Sequence, residues 1–463
     1  MHPARHAPDP IRPLAWNATP AQILARWPAH SPVMALVTGS RGDAGERWSI
    51  IAAPGRSIGT WAETAHAFGA APRSSAPRAP DTPPFVSGWI GWIGYEAGRE
   101  IEPAAAITTG RPTDDRGWPV VHLARCEGAF VHDAVTGRWF MTGDPGAPPE
   151  IDLSAPARAP EACVEALTSQ IDRRAYEGLV AQAVEYIRAG DVFQVNIARR
   201  LSAAFAGSPR ALFARVLGSM RPRFAGLIEG PIPGRAVVSM SPELFLRDRA
   251  GSGRVVTKPI KGTAPGKEAP DGLAGSEKDR AELAMIVDLM RNDLGRVCEF
   301  GSVRVAQARA IERHGSRDLD AGVWHGVATV QGRLRSGVTV ADLLAASLAP
   351  GSVTGAPKVR AMQIIEEMEP VRRGPYCGAV GFVDDSGAAT FNVAIRTAAV
   401  TGAPTAGAGA DGWTDIEGNL DYFVGAGIVA DSDPALEWAE TEAKAAGFRR
   451  ACESACARER AHA

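Results

Sequence analysis

Carboxylates spaced for one helix face occur twice in this chain, and a lysine in a confined setting lies upstream of both. Glu437, Glu440 and Lys444 stand at i, i+3 and i+7 on a helix that opens near Pro434. Asp279 and Glu282 repeat the three-residue spacing behind Ser276, ahead of Asp288 and an Arg291-Asn292-Asp293 run. Taken alone, each set is also what a solvated face shows, with a Glu440–Lys444 pair or a helix cap. If the two helices converge, their carboxylates can hold Mg²⁺, which takes one or two protein carboxylates plus water and an anionic substrate. Lys261, in VVTKPIKGT, is placed where a strand meets a glycine turn. Partial desolvation there would lower its pKa toward nucleophilic use, although most lysines are simply solvated. Glu243, in SMSPELFL, follows a strand and a proline, a position that suits acid/base work or a turn salt bridge.

Groups that accept anions accompany these. GSVTGAPK, 351–358, lacks the glycine-lysine-hydroxyl order of a phosphate loop, and what survives is a helix start flanked by Ser352 and Thr354. GAGIVA, 425–430, formally fits G-x-G-x-x-A, but Asp431-Ser432-Asp433-Pro434 separates it from the next helix, so a dinucleotide site is not expected. Its glycines let backbone amides approach a small anion. Arg396 is expected on a strand face with Asn392 and Ala394, its planar fork suited to a carboxylate or to a structural ion pair. His325 reads as core, acid/base or hydrogen-bond donor.

The elements that must position these groups follow from periodicity. Helical spacing runs from Arg174 to Ala189, with Gly190-Asp191 ending it. In the following strand Phe193, Val195 and Ile197 share one face, and Gln194 and Asn196 the other. Further strands are expected over 235–240, 253–257, 390–400 and 420–424. Helices are expected from Ser276, with Asp279 completing a capping-box pattern, to about Asn292, and from Pro357 and Pro434. Strands and helices mix without βαβ alternation, which points to a large α+β fold.

Length and composition bound the partners. At 463 residues the chain accommodates two or three domains or one large intertwined unit. Fifty basic against 52 acidic residues give a net charge of −2 without a basic block, which argues against nucleic acid. The Pro/Ala/Ser-rich stretches 69–84 and 144–160 read as linkers. The second divides a motif-poor region, 1–150, from a motif-dense one, 165–455. Six scattered cysteines form no zinc or disulfide framework and are expected to be unpaired thiols. No stretch approaches the length of a membrane helix, and the N-terminus lacks a secretion signal's apolar core, so the expected setting is the cytoplasm.

DVFQVNIARR, SMSPELFL, TKPIKGT, KDRAELAMIVDLMRNDLGRV, PGSVTGAPKVRAMQIIEEMEP, IRT, and GAGIVADSDP with ETEAK follow one another from about Arg174 to Lys444. In this order they resemble the chorismate-utilising enzymes, and most closely their para-aminobenzoate branch. GWIGYEAGRE, 91–100, resembles the family's N-terminal part. The resemblance implies one α+β unit of two subdomains, with extensive antiparallel sheet, outer helices and an active-site cleft. By motif position Glu282 matches a magnesium ligand, and Glu437 and Glu440 match the second acidic cluster. Ser352, Tyr376, Arg396, Lys444 and the backbone of Gly425, Ala426 and Gly427 match positions near the substrate carboxylates, and Thr354 flanks them. Glu243 and His325 match residues beside the leaving hydroxyl and the ring.

In the branch it resembles, the lysine at Lys261 replaces the alanine of PIAGT-like relatives and forms a covalent intermediate. A glutamine stands at Gln194, where the water-adding enzymes carry a lysine base. The implied reaction is Mg²⁺-dependent amination of chorismate to 4-amino-4-deoxychorismate for para-aminobenzoate and folate synthesis. Ammonia would come from a separate glutamine amidotransferase. The rival readings are an anthranilate-forming component and a catalytically silent chorismate-binding subunit. Residues 34–50, MALVTGSRGDAGERWSI, lack the Leu-Leu-Glu-Ser-like segment of the family's tryptophan site, so tryptophan binding there is not expected.

Overall fold

Strand-forming runs from both ends of the chain pair into two sheets, and every strand pairing among the described residues is antiparallel. The computed structural model describes residues 11–39, 46–69, 79, 81–107, 112–145, 161–248, 252–267, 271–315, 322–405 and 415–459. The thirteen-stranded sheet runs from Ile11–Leu14 through Trp139–Gly143, Gly128–Asp133, Trp48–Ala52, Met34–Val37, Phe224–Glu229, Arg235–Ser241, Thr397–Pro404, Ile416–Ile428 and Gln194–Gly207 to Thr168–Ser169. The short strands Ala162–Val164 and Gly355–Ala356 also pair with Gln194–Gly207. The ten-stranded sheet follows the order Ile260–Pro265, Gly322–Arg333, Arg254–Lys258, Leu244–Asp248, Ala389–Val393, Ala379–Asp384, Gly88–Ile93, Val121–Cys126 and Ser57–Ile58. Arg304–Gly315 lies on Gly322–Arg333 beside this path.

The sheets face each other across Met34, Ile50, Val131, Ile228 and Val237 on one side and Ile90, Trp92, Ala124, Val380 and Phe382 on the other. Leu212, Phe213 and Phe448, from helices Pro209–Met220 and Pro434–Glu459, pack on the outer face of the larger sheet. Leu283, Ile286, Leu344 and Ile365, from helices Glu277–Gly295, Val340–Ser347 and Lys358–Met368, belong to the core cluster outside the smaller one. Each such side chain contributes about 1.5–3 kcal/mol when fully buried. The structure is thus the expected α+β fold, antiparallel sheet with outer helices. Residues before 145 lie in both sheets, Met34–Val37 beside Phe224–Glu229 and Gly88–Ile93 beside Ala379–Asp384. Most of both linkers lies outside the described residues.

Several local expectations need correction. The strand expected over 390–400 is two strands, because the chain leaves the smaller sheet at Val393 and enters the larger at Thr397. Arg396 stands in that crossing with φ +52°, so it shares no strand face with Asn392 and Ala394. Lys261 lies within a strand rather than at its end. The glycine signal there marks a bulge at Gly262, whose φ of +79° suits glycine. A side chain at Gly262 would also meet Leu273 and Asp279. Phe193 is 70% exposed and precedes the strand, whereas Gln194 and Asn196 are buried. That strand is therefore covered on both faces, and alternation did not mark a wet side. Ser276 caps its helix by accepting Asp279 N–H at 3.2 Å, and the helix reaches Gly295. Cys163 is disulfide-bonded, contrary to the expectation of unpaired thiols.

Candidate active site

Two of the places where the chain passes from one sheet to the other each carry a polar group into the space between them. At the first, Ser241-Pro242-Glu243 joins strands Arg235–Ser241 and Leu244–Asp248. Ser241 Oγ donates to Val393 O at 2.6 Å and accepts Glu243 N–H at 3.2 Å. Val393 N–H donates to Glu243 O at 3.1 Å, and Met240 N–H to Arg396 O at 2.9 Å, so the two crossings brace each other. Burial pushes the Glu243 carboxyl up to about 7, against a Ser352 hydrogen bond and the charge of Lys261, which both favour the carboxylate.

Lys261, on strand Ile260–Pro265, has a side chain only 14% exposed and places Nζ 3.8 Å from Glu282 Oε2. Burial lowers its pKa and Lys444 adds to the effect, while Glu282, Glu440 and Glu243 oppose it. A methyl group on Gly427 would stand 2.6 Å from Gln194 Nε2 and 3.0 Å from Lys261 Nζ. The strand face at Gly427 therefore meets the lysine and the glutamine amide. Both amide atoms of Gln194, together with Asn196 Nδ2, Asn392 Oδ1 and His325 Nε2, are buried without a hydrogen-bond partner among the described residues. Buried polar atoms left this way cost about 1–3 kcal/mol each, which a polar ligand would recover.

His325 is buried opposite Thr263, whose hydroxyl lies 3.0 Å from Nδ1, and His314 packs edge-on at 4.9 Å. Burial, with the positive charge of Arg396 and with His314, holds the imidazole well below its ordinary pKa and hence neutral. Burial likewise lowers Arg396, and among the described residues no carboxylate pairs with it. An unpaired guanidinium of this kind suits an anionic ligand.

The acidic groups come from two helices. Glu282 lies 3.8 Å from Lys261 and 4.0 Å from Lys278. Glu437 is buried, accepts Ser432 Oγ at 2.7 Å, and is raised by burial and by Glu440. Glu440 pairs with Lys444 at 2.6 Å; burial raises its pKa, but Lys444, Lys261 and Lys278 outweigh that and lower it. Lys261 and Lys278, both within 4.0 Å of Glu282, also favour the charged form of Glu440, so the two acidic sets answer to the same lysines. Among the described residues no three metal-ligating side chains form a cluster. A Mg²⁺ ion here would therefore take one or two of these carboxylates and complete its shell with water and ligand oxygen, which is the set this ion prefers.

Other expected residues are occupied by partners within the protein. Thr354 Oγ1 donates to Pro350 O at 2.9 Å and is fully buried. Tyr376 stacks on Phe423 at 5.2 Å and hydrogen-bonds Cys377; burial and Cys377 hold its hydroxyl well above its ordinary pKa. Gly425, Ala426 and Gly427 pair with Ala198, Ile197 and Asn196 in mid-strand, with no turn into a helix, and Gly425 O accepts Lys444 Nζ at 2.8 Å. Sequence reasoning did not single out Lys278, Thr263 or Asn392. Lys278 could have been found at i−4 from Glu282, and Thr263 two residues beyond Lys261. Away from this site, Leu36, Thr38, Glu46 and Trp48 line a separate cavity with Arg223 and Arg247.

The family model described as chorismate binding enzyme matches residues 37–450. Aminodeoxychorismate synthase component 1 of Klebsiella aerogenes is 37% identical over 371 residues, covering 77% of this chain and 75% of that protein. Anthranilate synthase component 1 of Thermus thermophilus is 37% identical over 401 residues, covering 82% and 80%. Anthranilate synthase component I from Streptococcus pneumoniae superimposes with a TM-score of 0.68 at 26% identity, covering 96% of this chain and 93% of that structure.

Proposed function

The chain belongs to the chorismate binding enzyme family, and from that premise we propose that it aminates chorismate to 4-amino-4-deoxychorismate through Lys261. The observation that carries the reading is a largely buried lysine amine, its pKa lowered, beside Gln194 and the glycine face of the strand. The neutral amine attacks the ring carbon next to the carboxylate-bearing one, the double bonds shift, and the C–O bond of the ring hydroxyl breaks. Glu243, partly protonated at neutral pH, gives its proton so that water departs. Ammonia then bonds to the carbon that held the hydroxyl, and the electron pair of the C–N bond returns to Lys261. The lysine nitrogen keeps its protons until the double bonds shift back and it leaves as the neutral amine, and the one proton lost by the newly bound ammonium returns to Glu243. Gln194 takes no proton from water, which disfavours water as the nucleophile.

Arg396 orients a substrate carboxylate, and neutral His325 offers a hydrogen bond to the ring's polar edge. Glu282 and Glu440, with Glu437 beside them, would hold Mg²⁺, which when bound neutralises the substrate's carboxylate charge. The relatives' names, component 1, support a second component, and we assign to it the glutaminase that supplies ammonia. Para-aminobenzoate and folate synthesis as the destination, and a cytoplasmic setting, rest on the sequence reading alone.

Equal identity to an anthranilate synthase component supports a second reading, direct amination at the ortho carbon with loss of pyruvate. Purified protein given chorismate, Mg²⁺ and ammonium distinguishes the two by mass spectrometry of the product. Aminodeoxychorismate from the wild type, lost or diverted in Lys261→Ala, is expected. Anthranilate from the wild type would overturn the assignment.

A further inference from the structure

Arg373 and Glu369 have no role in the chemistry above, yet both are buried, at 2% and 4% exposure. They lie just beyond helix Lys358–Met368, four residues apart. The Arg373 guanidinium donates to Glu369 through Nε at 2.8 Å and Nη2 at 2.5 Å. It also donates to Asn196 O at 2.8 Å and Val353 O at 3.2 Å. Glu369 Oε1 accepts Ala198 N–H at 2.8 Å. The guanidinium lies over the Tyr95 ring at 4.5 Å, and Arg373 N–H donates to Glu96 at 2.9 Å.

The strand edge explains this arrangement. Gln194–Gly207 pairs along one edge with Ile416–Ile428, but on the other edge Gly355–Ala356 covers only Val195 and Gln194, and Thr354 O takes Asn196 N–H. At Asn196 and Ala198 the ion pair supplies the donor and the acceptor that a neighbouring strand would supply. The same guanidinium grips Val353, the residue after Ser352, and Ser352 favours the carboxylate form of Glu243. We infer that Arg373 is a positioning residue that fixes the Ser352 turn against the Gln194–Asn196 strand, so that the general acid and the site's amides face the substrate in one register. The inference rests on turnover of chorismate at this site, whichever product is released.

Replacing a buried ion pair by apolar groups of similar size is often neutral for stability, whereas removing one partner leaves a costly buried charge. The test therefore compares full-length wild type with Arg373→Met/Glu369→Leu, Ser352→Ala and the triple variant. It follows chorismate consumption, and it follows titration of the Glu243 carboxyl by carbon NMR, assigned with Glu243→Gln. The double variant is expected to remain folded, to lose roughly 10- to 100-fold in kcat with little change in KM, and to shift the Glu243 titration upward as Ser352→Ala does. Adding Ser352→Ala should cost little more, because both changes release the same turn. A folded double variant with an unshifted titration, or losses that multiply in the triple variant, would overturn the inference. The titration reads the inference even where chorismate is not consumed, an outcome that counts against the proposed function instead. Should the double variant not fold, Arg373→Lys, which reaches fewer of the carbonyls, is expected to show the same shift and loss, and an unshifted titration there overturns it equally.

Discussion

Burial acts in opposite senses on the two groups that carry the proposed chemistry, raising Glu243 and lowering Lys261, so one keeps a proton near neutrality while the other is prepared to lose one. A group whose folded pKa lies above its unfolded value takes up protons on folding, so its effect on stability becomes less favourable as pH rises from about 4.5 to about 7. Glu243→Gln is therefore expected to stabilise the fold by up to about 3 kcal/mol at pH 8 and by less than about 1 kcal/mol at pH 5. Urea midpoints at the two pH values measure this, and equal gains would contradict it. The same variant should lower turnover by roughly 100-fold, because the protonated acid is gone. In the wild type, kcat should fall as pH rises above about 7. Lys261, Glu282 and Glu440 were visible from spacing and motif. Asn392, Thr263 and Lys278 were not, because a polar side chain becomes informative only once the fold has buried it or set it beside a charge.

Glycines on one strand separate function from stability. A methyl group at Gly427 would meet the tips of Gln194 and Lys261, both able to swing aside, whereas at Gly425 it would meet the Ile197 carbonyl at 2.9 Å and Asn196 Nδ2 at 3.0 Å. Gly427→Ala should lower turnover by roughly 10- to 100-fold with a melting temperature close to wild type. Gly425→Ala should destabilise by about 1–3 kcal/mol, because backbone cannot yield as a side-chain tip does. Thermal melts and steady-state rates on the pair check this, and a Gly427→Ala enzyme of normal rate would contradict the placement of Lys261. The start of helix Glu277–Gly295 was legible because Ser276 bonds its own N3 amide, at 3.2 Å, whereas the Asp172 cap of helix Arg173–Arg188 was not read from the sequence. The crossing at 394–396 was hidden, since strand propensity continues through residues that belong to two different sheets.

Both sheets draw strands from either side of the 144–160 segment, and this sets how the molecule unfolds. Without residues before 145, Phe224–Glu229 and Ala379–Asp384 would lose Met34–Val37 and Gly88–Ile93 as partners and become open edges. A fragment of residues 165–455 is expected to aggregate or to bind ANS, while the full chain melts in one transition. A soluble fragment with native near-ultraviolet circular dichroism would contradict this. The α+β class was legible from mixed periodicities, but strand order was not, because long-range pairing leaves no local mark. The most direct measurement is the intact mass of the protein mixed with chorismate and Mg²⁺ in ammonia-free buffer and quenched in acid. An adduct of chorismate less one water on Lys261, absent in Lys261→Ala and discharged by ammonium, is predicted. Turnover to product on ammonium addition with no adduct at any time, and an undiminished rate in Lys261→Ala, would contradict the lysine route.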